Sequence, residues 1–426
     1  MPSLVSLAEE LLAQAKEIER TLEKNNLPPT SFDKDTLEQL PSEAQKLRWD
    51  LLDTSHEIRQ LARGARLSGL DIAFSVRWTD QLILRVIWRY QLAAAVPLDG
   101  SATYDEISAT SGLSRSRVVR TIRAAIALNI FDEREPGKIS HTAISRLLAS
   151  DEGYFSVIGL QLEDIGPASR RLPEVWEKLG PDAGDPEQSA FSMENGGRSL
   201  FTVLGEEPER GRRFNLAMKY CVEDKDFNYY DIFNAFDWAS IDKPGSQVMD
   251  LGGGFGQISQ ALAKQTQNVS FTIQDLPHVV NEAQRQLPSE FRDRISFEHH
   301  NFLEPQQQKD RTPSAYLISR CLHNWSDHHS TKILRGLVPT MRQGSKVLIW
   351  DAVLDDEPVR KISNKFNLQQ DFIMATISNG KDRTAEEFRQ IFELSDPRFI
   401  VEAVNRPEGS KLAMVVVSWD DKHRDY

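Results

Sequence analysis

From about residue 245, apolar runs rich in β-branched residues alternate with polar stretches of helical character, and this alternation narrows the possible folds more than any other feature. The six runs are SQVMDLG, SFTIQDLP, ISFEHHNF, AYLISRCL, KVLIWDAVL and LAMVVVSW. Nearly continuous apolar strands separated by helices are typical of a parallel sheet that is covered on both faces. We therefore predict that residues 241–426 form a doubly wound α/β domain.

The N-terminal region predicts helices that carry no recognisable chemistry. Over residues 1–65, apolar side chains recur at roughly helical spacing, and the consecutive prolines Pro28 and Pro29 interrupt the pattern. A second helical stretch is expected from about residue 42 to residue 61. We assign both helices to packing, with a second subunit as one partner.

Residues 66–150 predict a winged helix. The stretch ATYDEISATSGLSRSRVVRTIRAAIALNIF indicates two helices, with a turn at Gly112 and an N-cap at Ser114. The following FDEREPGKISHT indicates a β-hairpin that turns at Pro136 and Gly137. A helix-turn-helix followed by a hairpin serves either DNA binding or dimerisation.

Charge decides between these two uses. The second helix carries a basic stripe of Arg115, Arg117, Arg120 and Arg123, which favours DNA. However, the chain has a formal net charge of −12, and acidic residues surround the stripe. Since a phosphate polymer is repelled by such a surface, we expect dimerisation and no nucleic-acid partner, with DNA binding as the alternative.

Residues 151–240 predict a connector of helices and loops. Within it, GEEPERGRRFNLAMKYC indicates one helix, on which Phe214, Met218 and Cys221 share a face. Such a stripe either packs in the core or lines a substrate pocket, and we name Phe214 and Met218 as candidate substrate contacts.

Composition excludes several classes of protein. No run of eighteen apolar residues is present, which argues against a membrane partner, and the N-terminus lacks the basic and apolar blocks of a secretory signal. The two cysteines, Cys221 and Cys321, provide neither a disulfide framework nor metal-ligand spacing. We therefore expect a cytoplasmic protein without a metal centre.

A glycine-rich turn follows the first apolar run, in VMDLGGGFGQIS. A strand, a glycine turn and a helix direct backbone N–H groups at a ligand. The glycines read GxGxG, as Gly252, Gly254 and Gly256, whereas the dinucleotide pattern needs a sixth-position glycine where Gln257 stands. The next strand ends at Asp275, a carboxylate that can accept both ribose hydroxyls. Together these features favour S-adenosylmethionine, a nucleoside ligand without phosphates.

Four blocks, VMDLGGGFG, QDLPHVV, LHNWSDHHSTKIL and SNGKDRTAEEF, resemble the signature blocks of class I small-molecule O-methyltransferases, in the same order and at similar spacing. The resemblance is closest to the plant caffeate and flavonoid type and its fungal secondary-metabolite relatives, and it runs from about residue 70 to the C-terminus. It implies an N-terminal winged-helix dimerisation domain, a Rossmann-like S-adenosylmethionine domain and a homodimer. It also implies a small-molecule substrate with a phenolic or enolic hydroxyl.

The resemblance further implies which residues hold the cofactor. They are Asp250, Gly252, Gly254, Gly256, Asp275, Leu276, Asn301 and Phe302. Asn301 stands where the family has an aspartate near the adenine. An asparagine keeps an acceptor for the adenine amino group but loses the charge.

The block LHNWSDHH supplies a candidate base, His323, at the carboxyl end of a strand, where open α/β folds bind ligands. Methyl transfer needs a positioned oxygen nucleophile and a base for its proton, and a histidine suits a phenol or an enol. The resemblance makes His323 that base; the alternative is a structural histidine. Asp351 and Asp382 match two family glutamates that orient the base, each one methylene shorter, and Asn324 stands where the family often has aspartate.

Two alternatives remain open at the level of sequence. Methyltransferase-like folds include members that bind S-adenosylmethionine and catalyse pericyclic reactions or dehydrations, with the sulfonium as an electrostatic aid. Because His323 is retained, methyl transfer is favoured. His141 either faces the substrate pocket, together with Asn324, or caps the helix that follows it.

Overall fold

The computed structural model describes residues 3–41, 44–73, 76–180, 184–223, 231–307, 312–356, 361–408 and 410–422, and the structural statements below concern these residues. The chain divides into two compact units. The first comprises Met1–Pro167, Val203–Val222 and Arg360–Lys365, and the second comprises Ala168–Thr202, Glu223–Val359 and Phe366–Tyr426. The fourfold division that the sequence suggests remains a prediction.

Helices account for most of the N-terminal part and alternate with strands in the C-terminal part. The α-helices are, in chain order, α1 (Leu4–Lys24), α2 (Gln45–Ala73), α3 (Val76–Arg89), α4 (Tyr104–Ser111), α5 (Arg115–Ala127), α6 (Ala143–Ser150), α7 (Glu152–Gly159), α8 (Gly166–Ser169), α9 (Leu172–Leu179), α10 (Ala190–Glu194), α11 (Leu200–Glu206), α12 (Pro208–Glu223), α13 (Ile232–Ala235), α14 (Gln257–Gln265), α15 (Pro277–Gln286), α16 (Asp327–Leu337), α17 (Ile362–Ser378) and α18 (Ala385–Ser395). The strands are β1 (Ala102–Thr103), β2 (Phe131–Glu135), β3 (Lys138–His141), β4 (Gln247–Leu251), β5 (Ser270–Asp275), β6 (Ile295–His299), β7 (Ala315–Ser319), β8 (Lys346–Leu354), β9 (Arg383–Thr384), β10 (Phe399–Asn405) and β11 (Leu412–Trp419).

The first unit contains the predicted winged helix. Helices α4 and α5 are separated by Gly112, whose φ of 72° is left-handed, a conformation that glycine adopts without a steric penalty. Strands β2 and β3 form the hairpin, and β1 pairs with β3 to complete a three-stranded antiparallel sheet. Val118, Ile122 and Phe131 are fully buried between the helices and the sheet, so the apolar face of α5 holds the unit together.

Two predicted helices in this part of the chain have different bounds. Helix α2 runs on to Ala73, past the expected end near residue 61, and it bends at Gly64, where φ is 65°. The single helix expected in GEEPERGRRFNLAMKYC is wrong, because α11 ends at Glu206 and α12 starts at Pro208. A proline lacks the amide hydrogen that a continuing helix requires, but it fits the first turn of a new one.

The second unit is built around a mixed sheet with the strand order β10-β11-β8-β7-β4-β5-β6. The five strands from β8 to β6 are parallel, and buried apolar side chains cover both faces of this part of the sheet, as the sequence predicts. The expectation that the run LAMVVVSW would add a further parallel strand is wrong. Strand β11 is antiparallel to β8 and pairs with β10 as an antiparallel edge.

Among the described residues, none of the helices combines the length and the apolar character that crossing a bilayer requires. The parallel strands β4, β5, β6, β7 and β8 end at the same edge of the sheet. The loops that follow them carry most of the candidate site residues.

Candidate active site

The glycine turn lies between β4 and α14. Gly252, Gly254 and Gly256 have φ values of 67°, 58° and 73°, all in the left-handed region. At Gly256 a Cβ atom would also come within 2.2 Å of the Ile273 side chain on β5. The sequence GxGxG is therefore required by the backbone path and, at Gly256, by close packing against the neighbouring strand.

Asp250 lies beneath this turn and is 1% exposed. The Ser259 hydroxyl donates to its Oδ2 at 2.7 Å, whereas its Oδ1 has no hydrogen-bond partner among the described residues. A Cβ on Gly253 would be 2.6 Å from the carboxyl carbon of Asp250, so a glycine is needed there too. Burial raises the pKa of Asp250 to about 6, although the hydrogen bond from Ser259 opposes the shift.

Asp275, at the end of β5, joins the turn to the next strand. Its Oδ2 accepts the Gly254 N–H at 2.9 Å, and its Oδ1 accepts the Leu276 N–H at 2.7 Å. Leu276 is 43% exposed and precedes α15. A carboxylate and an apolar side chain are thus presented together beside the glycine turn.

Asn301 and Phe302 follow β6. Asn301 is exposed, and its side-chain oxygen accepts the Leu303 N–H at 3.1 Å. The Phe302 ring lies edge-on to Trp325, with 5.7 Å between ring centroids, and it borders Gly252, where a Cβ would be 3.1 Å from the ring. Phe302 therefore connects the glycine turn with the loop that carries His323.

His323 occupies a short 3₁₀ turn, Leu322–Asn324, directly after β7. Its Nδ1 lies 2.7 Å from Oδ1 of Asp351, which is fully buried on the adjacent strand β8. Oδ2 of the same carboxylate accepts the backbone N–H of His323 at 3.3 Å. Because a carboxylate only accepts, Nδ1 carries the proton and Nε2 is left as an acceptor, a tautomer assigned from the hydrogen bonding.

Asp382 completes a cluster of three side chains whose ligand atoms lie within 4.8 Å of one another. Its Oδ1 is 3.6 Å from Nδ1 of His323, and neither of its buried oxygens has a hydrogen-bond partner among the described residues. Burial raises the pKa of Asp382 to about 7; His323 opposes this, and Asp351 and Asp371 add to it. The two acids are therefore not equivalent, since only Asp351 is hydrogen-bonded to the base.

Burial alone would lower the pKa of His323, but the charge and the hydrogen bond of Asp351 and the charge of Asp382 raise it above its ordinary value of 6.5. The side chain is 16% exposed, compared with 1% for each acid. The imidazole is thus the one member of the cluster that reaches solvent. This arrangement can take a proton from a bound hydroxyl group.

The segment around Asp382 packs directly on the His323 turn. The Lys381 N–H donates to the His323 carbonyl at 2.8 Å. A Cβ on Gly380 would be 2.2 Å from that carbonyl oxygen, so the two backbones are in contact. Asn324 is half-buried, and its side-chain amide donates to the Cys321 carbonyl at 3.3 Å.

Sequence reasoning missed several residues of this centre: Gly253, Ser259, Cys321, Asp371 and Gly380. The Cys321 thiol sits against Gly252, where a Cβ would be 3.0 Å away, and burial raises the pKa of this thiol well above its usual range. Asp371 accepts the Asp382 N–H at 2.9 Å. Gly253, Ser259 and Gly380 stood in stretches already singled out, so a signal existed for them, whereas the roles of Cys321 and Asp371 depend on contacts with other segments.

The remaining candidate substrate residues belong to the first unit. Phe214 and Met218 are half-buried on α12. His141 is 6% exposed, with Nδ1 at 2.9 Å from the Ser145 hydroxyl and Nε2 at 3.0 Å from the Val96 carbonyl. Because both ring nitrogens have partners inside the unit, the contacts of His141 favour the structural alternative, in which it supports the start of α6.

Comparison with protein families gives a match to the O-methyltransferase domain over residues 176–395. The O-methyltransferase AMT9 of Alternaria alternata is 31% identical, and the match covers 98% of each chain. The chlorophenol O-methyltransferase of Trichoderma longibrachiatum is 30% identical over 98% of this chain and 90% of its own.

Solved structures show the same fold. OxaC, crystallised with sinefungin and meleagrin, superposes with a TM-score of 0.77 at 20% identity, covering 98% of this chain and 99% of its own. A structure described as a pericyclic reaction enzyme superposes with a TM-score of 0.74 at 19% identity, covering 97% of this chain and 100% of its own.

Proposed function

The chain belongs to the O-methyltransferase family, and on that premise we propose that it transfers a methyl group from S-adenosylmethionine to a phenolic or enolic hydroxyl of a secondary metabolite. The observation that carries the proposal is the contact of 2.7 Å between His323 Nδ1 and Asp351, which leaves Nε2 as an acceptor at the carboxyl edge of the sheet. A base in this tautomer and position is what oxygen methylation requires.

The loops at this edge fit the cofactor. The space beside Gly254 is open, because a Cβ there would meet nothing within 4 Å, whereas Gly252 lets the turn pass close to Phe302 and Cys321. We assign Asp275 to the ribose hydroxyls, and we assign Oδ1 of the buried Asp250, which has no hydrogen-bond partner among the described residues, to the cationic amine of the cofactor. Gly256, Leu276, Asn301 and Phe302 complete the proposed set. When bound, S-adenosylmethionine supplies an electrophilic methyl group.

The protein side of the reaction is proton removal. His323 Nε2 accepts the hydroxyl proton of the substrate, and the imidazolium that results is stabilised by the carboxylate of Asp351. Asp382 adds a second carboxyl group beside the ring without a hydrogen bond to it. Asp351 therefore orients the base, and Nε2 stays available to accept the proton.

The substrate is proposed from the chemistry of the base and from relatives. A histidine base suits an acidic hydroxyl, and one relative is a chlorophenol O-methyltransferase. We assign Phe214, Met218 and Asn324 to substrate binding and expect the protein to act as a homodimer in which the winged helix serves dimerisation. His141 is assigned a structural role on account of its two internal hydrogen bonds.

The test is an assay of purified protein with S-adenosylmethionine and a panel of phenols and enols that includes chlorophenols, in which S-adenosylhomocysteine and product mass are both followed. Equimolar S-adenosylhomocysteine and a product heavier by one methyl group would support the proposal. A product of unchanged mass, or one lighter by one water, without cofactor turnover would favour a pericyclase or dehydratase.

A pair of variants then tests the base. His323→Ala should lower kcat by about 10²-fold or more, the size expected for loss of general base catalysis. His328→Ala is the matched control, because His328 is an exposed histidine on the following helix. If His323→Ala stays within about tenfold of wild type, a histidine base is excluded at this position.

A further inference from the structure

Arg383 is a fully buried arginine whose guanidinium group has a partner for every donor. Its Nε donates to Asp327 at 2.9 Å. Its Nη1 donates to the carbonyls of Leu322 at 3.3 Å and Lys381 at 3.1 Å. Its Nη2 donates to the Trp325 carbonyl at 2.9 Å and the Ser330 hydroxyl at 3.0 Å. With an exposed fraction of 0%, this cation is retained only because all five N–H groups are used.

The acceptors of Arg383 lie on both sides of the candidate base. Leu322 precedes His323 in the chain, and Trp325 follows it by two residues. Two more acceptors, Asp327 and Ser330, lie in the first turn of α16. The guanidinium therefore ties the 3₁₀ turn that carries His323 to the helix that follows it.

Arg383 also holds the backbone next to Asp382, the second acid of the cluster. Arg383 is the neighbour of Asp382 in the chain, and its bond to the Lys381 carbonyl holds the backbone on the other side of that acid. The Lys381 N–H in turn donates to the His323 carbonyl. The turn of His323 and the segment of Asp382 are consequently held at one spacing by a single planar group.

We propose that Arg383 is a positioning residue of the reaction: its guanidinium holds the His323 turn so that Nδ1 stays on Asp351, without contact to substrate or cofactor. The proposal rests on the proposed role of His323 as the base. A lysine cannot replace it, because an ammonium group offers three donors from one point and not five in a plane.

The experiment compares Arg383→Lys with Arg294→Lys. Arg294 makes five hydrogen bonds as well, to the carbonyls of Ala263, Thr266 and Val269 and to the Thr266 hydroxyl, but it stands just before β6, at the opposite edge of the sheet from His323. Both variants lose a similar network. Only Arg383→Lys should change the chemistry.

For Arg383→Lys we expect kcat to fall by about 10²-fold, the cost of a base misplaced by about 1 Å, while the Kd for S-adenosylmethionine stays within about threefold. The acid limb of the kcat–pH profile should move to lower pH, because a His323 that leaves Asp351 loses the carboxylate that raises its pKa. Arg294→Lys should lower the melting temperature and leave kcat and the acid limb as in wild type.

A second variant covers the case in which Arg383→Lys does not fold. Asp327→Ala removes one half-exposed partner and leaves four of the five bonds, so it should fold, lower kcat by a few fold and shift the acid limb in the same direction. A folded Arg383→Lys with kcat within about threefold of wild type and an unmoved acid limb would overturn the proposal, as would equal losses in Arg383→Lys and Arg294→Lys. Full activity of His323→Ala, measured alongside, would instead refute the base assignment.

Discussion

Replacement of Asp351 by asparagine removes the charge next to the base with almost no change in volume. The carboxylate is fully buried and accepts three N–H groups: His323 Nδ1 at 2.7 Å, the His323 backbone at 3.3 Å and the Ala352 backbone at 2.9 Å. An amide has one acceptor oxygen, so at least one of these donors would face an NH₂ group instead. The imidazole would then lose both its orientation and the stabilisation of its protonated form.

The size of the effect follows from these contacts. A hydrogen bond to a charged group contributes about 1.5–3 kcal/mol, and about 1.36 kcal/mol corresponds to a factor of ten in rate. The loss in kcat is therefore roughly 10- to 150-fold, and the repulsion between the new NH₂ group and a donor places it near the upper end. We expect about a 100-fold decrease.

Asp382→Asn provides the matched comparison. Its carboxyl group is as buried and belongs to the same cluster, but it has no hydrogen-bond donor among the described residues, and its pKa of about 7 means that it is partly neutral at neutral pH. A neutral amide in this place resembles the protonated acid. We expect kcat to change by less than about threefold at pH 7.

The assay is the pH dependence of kcat for both variants, followed by release of S-adenosylhomocysteine. The base must be neutral to accept a proton, so activity falls as pH drops through the pKa of His323, which lies above 6.5 in the wild type. Asp351→Asn should move this limb to lower pH as well as lower the plateau. Equal losses in both variants, or a greater loss in Asp382→Asn, would refute the assignment of Asp351 as the orienting acid.

Three further predictions concern the cofactor loop and assembly. In urea titrations, Gly256→Ala should lower the free energy of unfolding by about 2–5 kcal/mol and Gly254→Ala by about 1–2 kcal/mol. Both positions need a positive φ, but only a Cβ at position 256 would meet Ile273. Similar losses in the two variants would contradict this difference in packing. Folding raises the pKa of Asp250 from 3.8 to about 6, so the stability that this carboxyl group contributes is present below pH 4 and is lost as pH rises through 6. The free energy of unfolding of Asp250→Asn, relative to that of the wild type, should therefore increase by about 3 kcal/mol between pH 4 and pH 8. If that difference between variant and wild type does not change with pH, the burial of a charged carboxylate is refuted. Light scattering should give twice the chain mass, whereas a monomer would contradict the dimer proposal.

Most of the sheet of the second unit could be predicted because β4, β5, β7, β8 and β11 are buried on both faces. Such strands appear in the sequence as continuous apolar runs, and all six runs became strands. An apolar run does not indicate whether its strand is parallel or antiparallel to its neighbours, so the antiparallel pairing of β11 was not predicted. Strand β10, an edge strand whose residues are mostly half-buried or exposed, was missed, whereas β6 at the other edge was found although it is similarly exposed.

The candidate site was likewise predictable from the sequence only in part. Motifs were sufficient to bring His323, Asp351 and Asp382 to attention, and the structure clusters them. The inequality of the two acids was not predictable, because it depends on separations of 2.7 and 3.6 Å between segments far apart in the chain. Arg383 stood in a recognised block, but three of its five acceptors are backbone carbonyls, whose positions no pattern of side chains encodes.

The position of Asp351 in the sheet has a consequence for synthesis of the chain. Strand β8 pairs with β7, which is translated earlier, and with β11, which begins only at Leu412. Until β11 emerges, the backbone groups of β8 that pair with it are unpaired, and Asp351 lacks its cross-strand neighbour Ala413. A chain that stopped before Leu412 would thus contain His323, Asp351 and Asp382 but leave this edge of β8 exposed, an arrangement that favours aggregation.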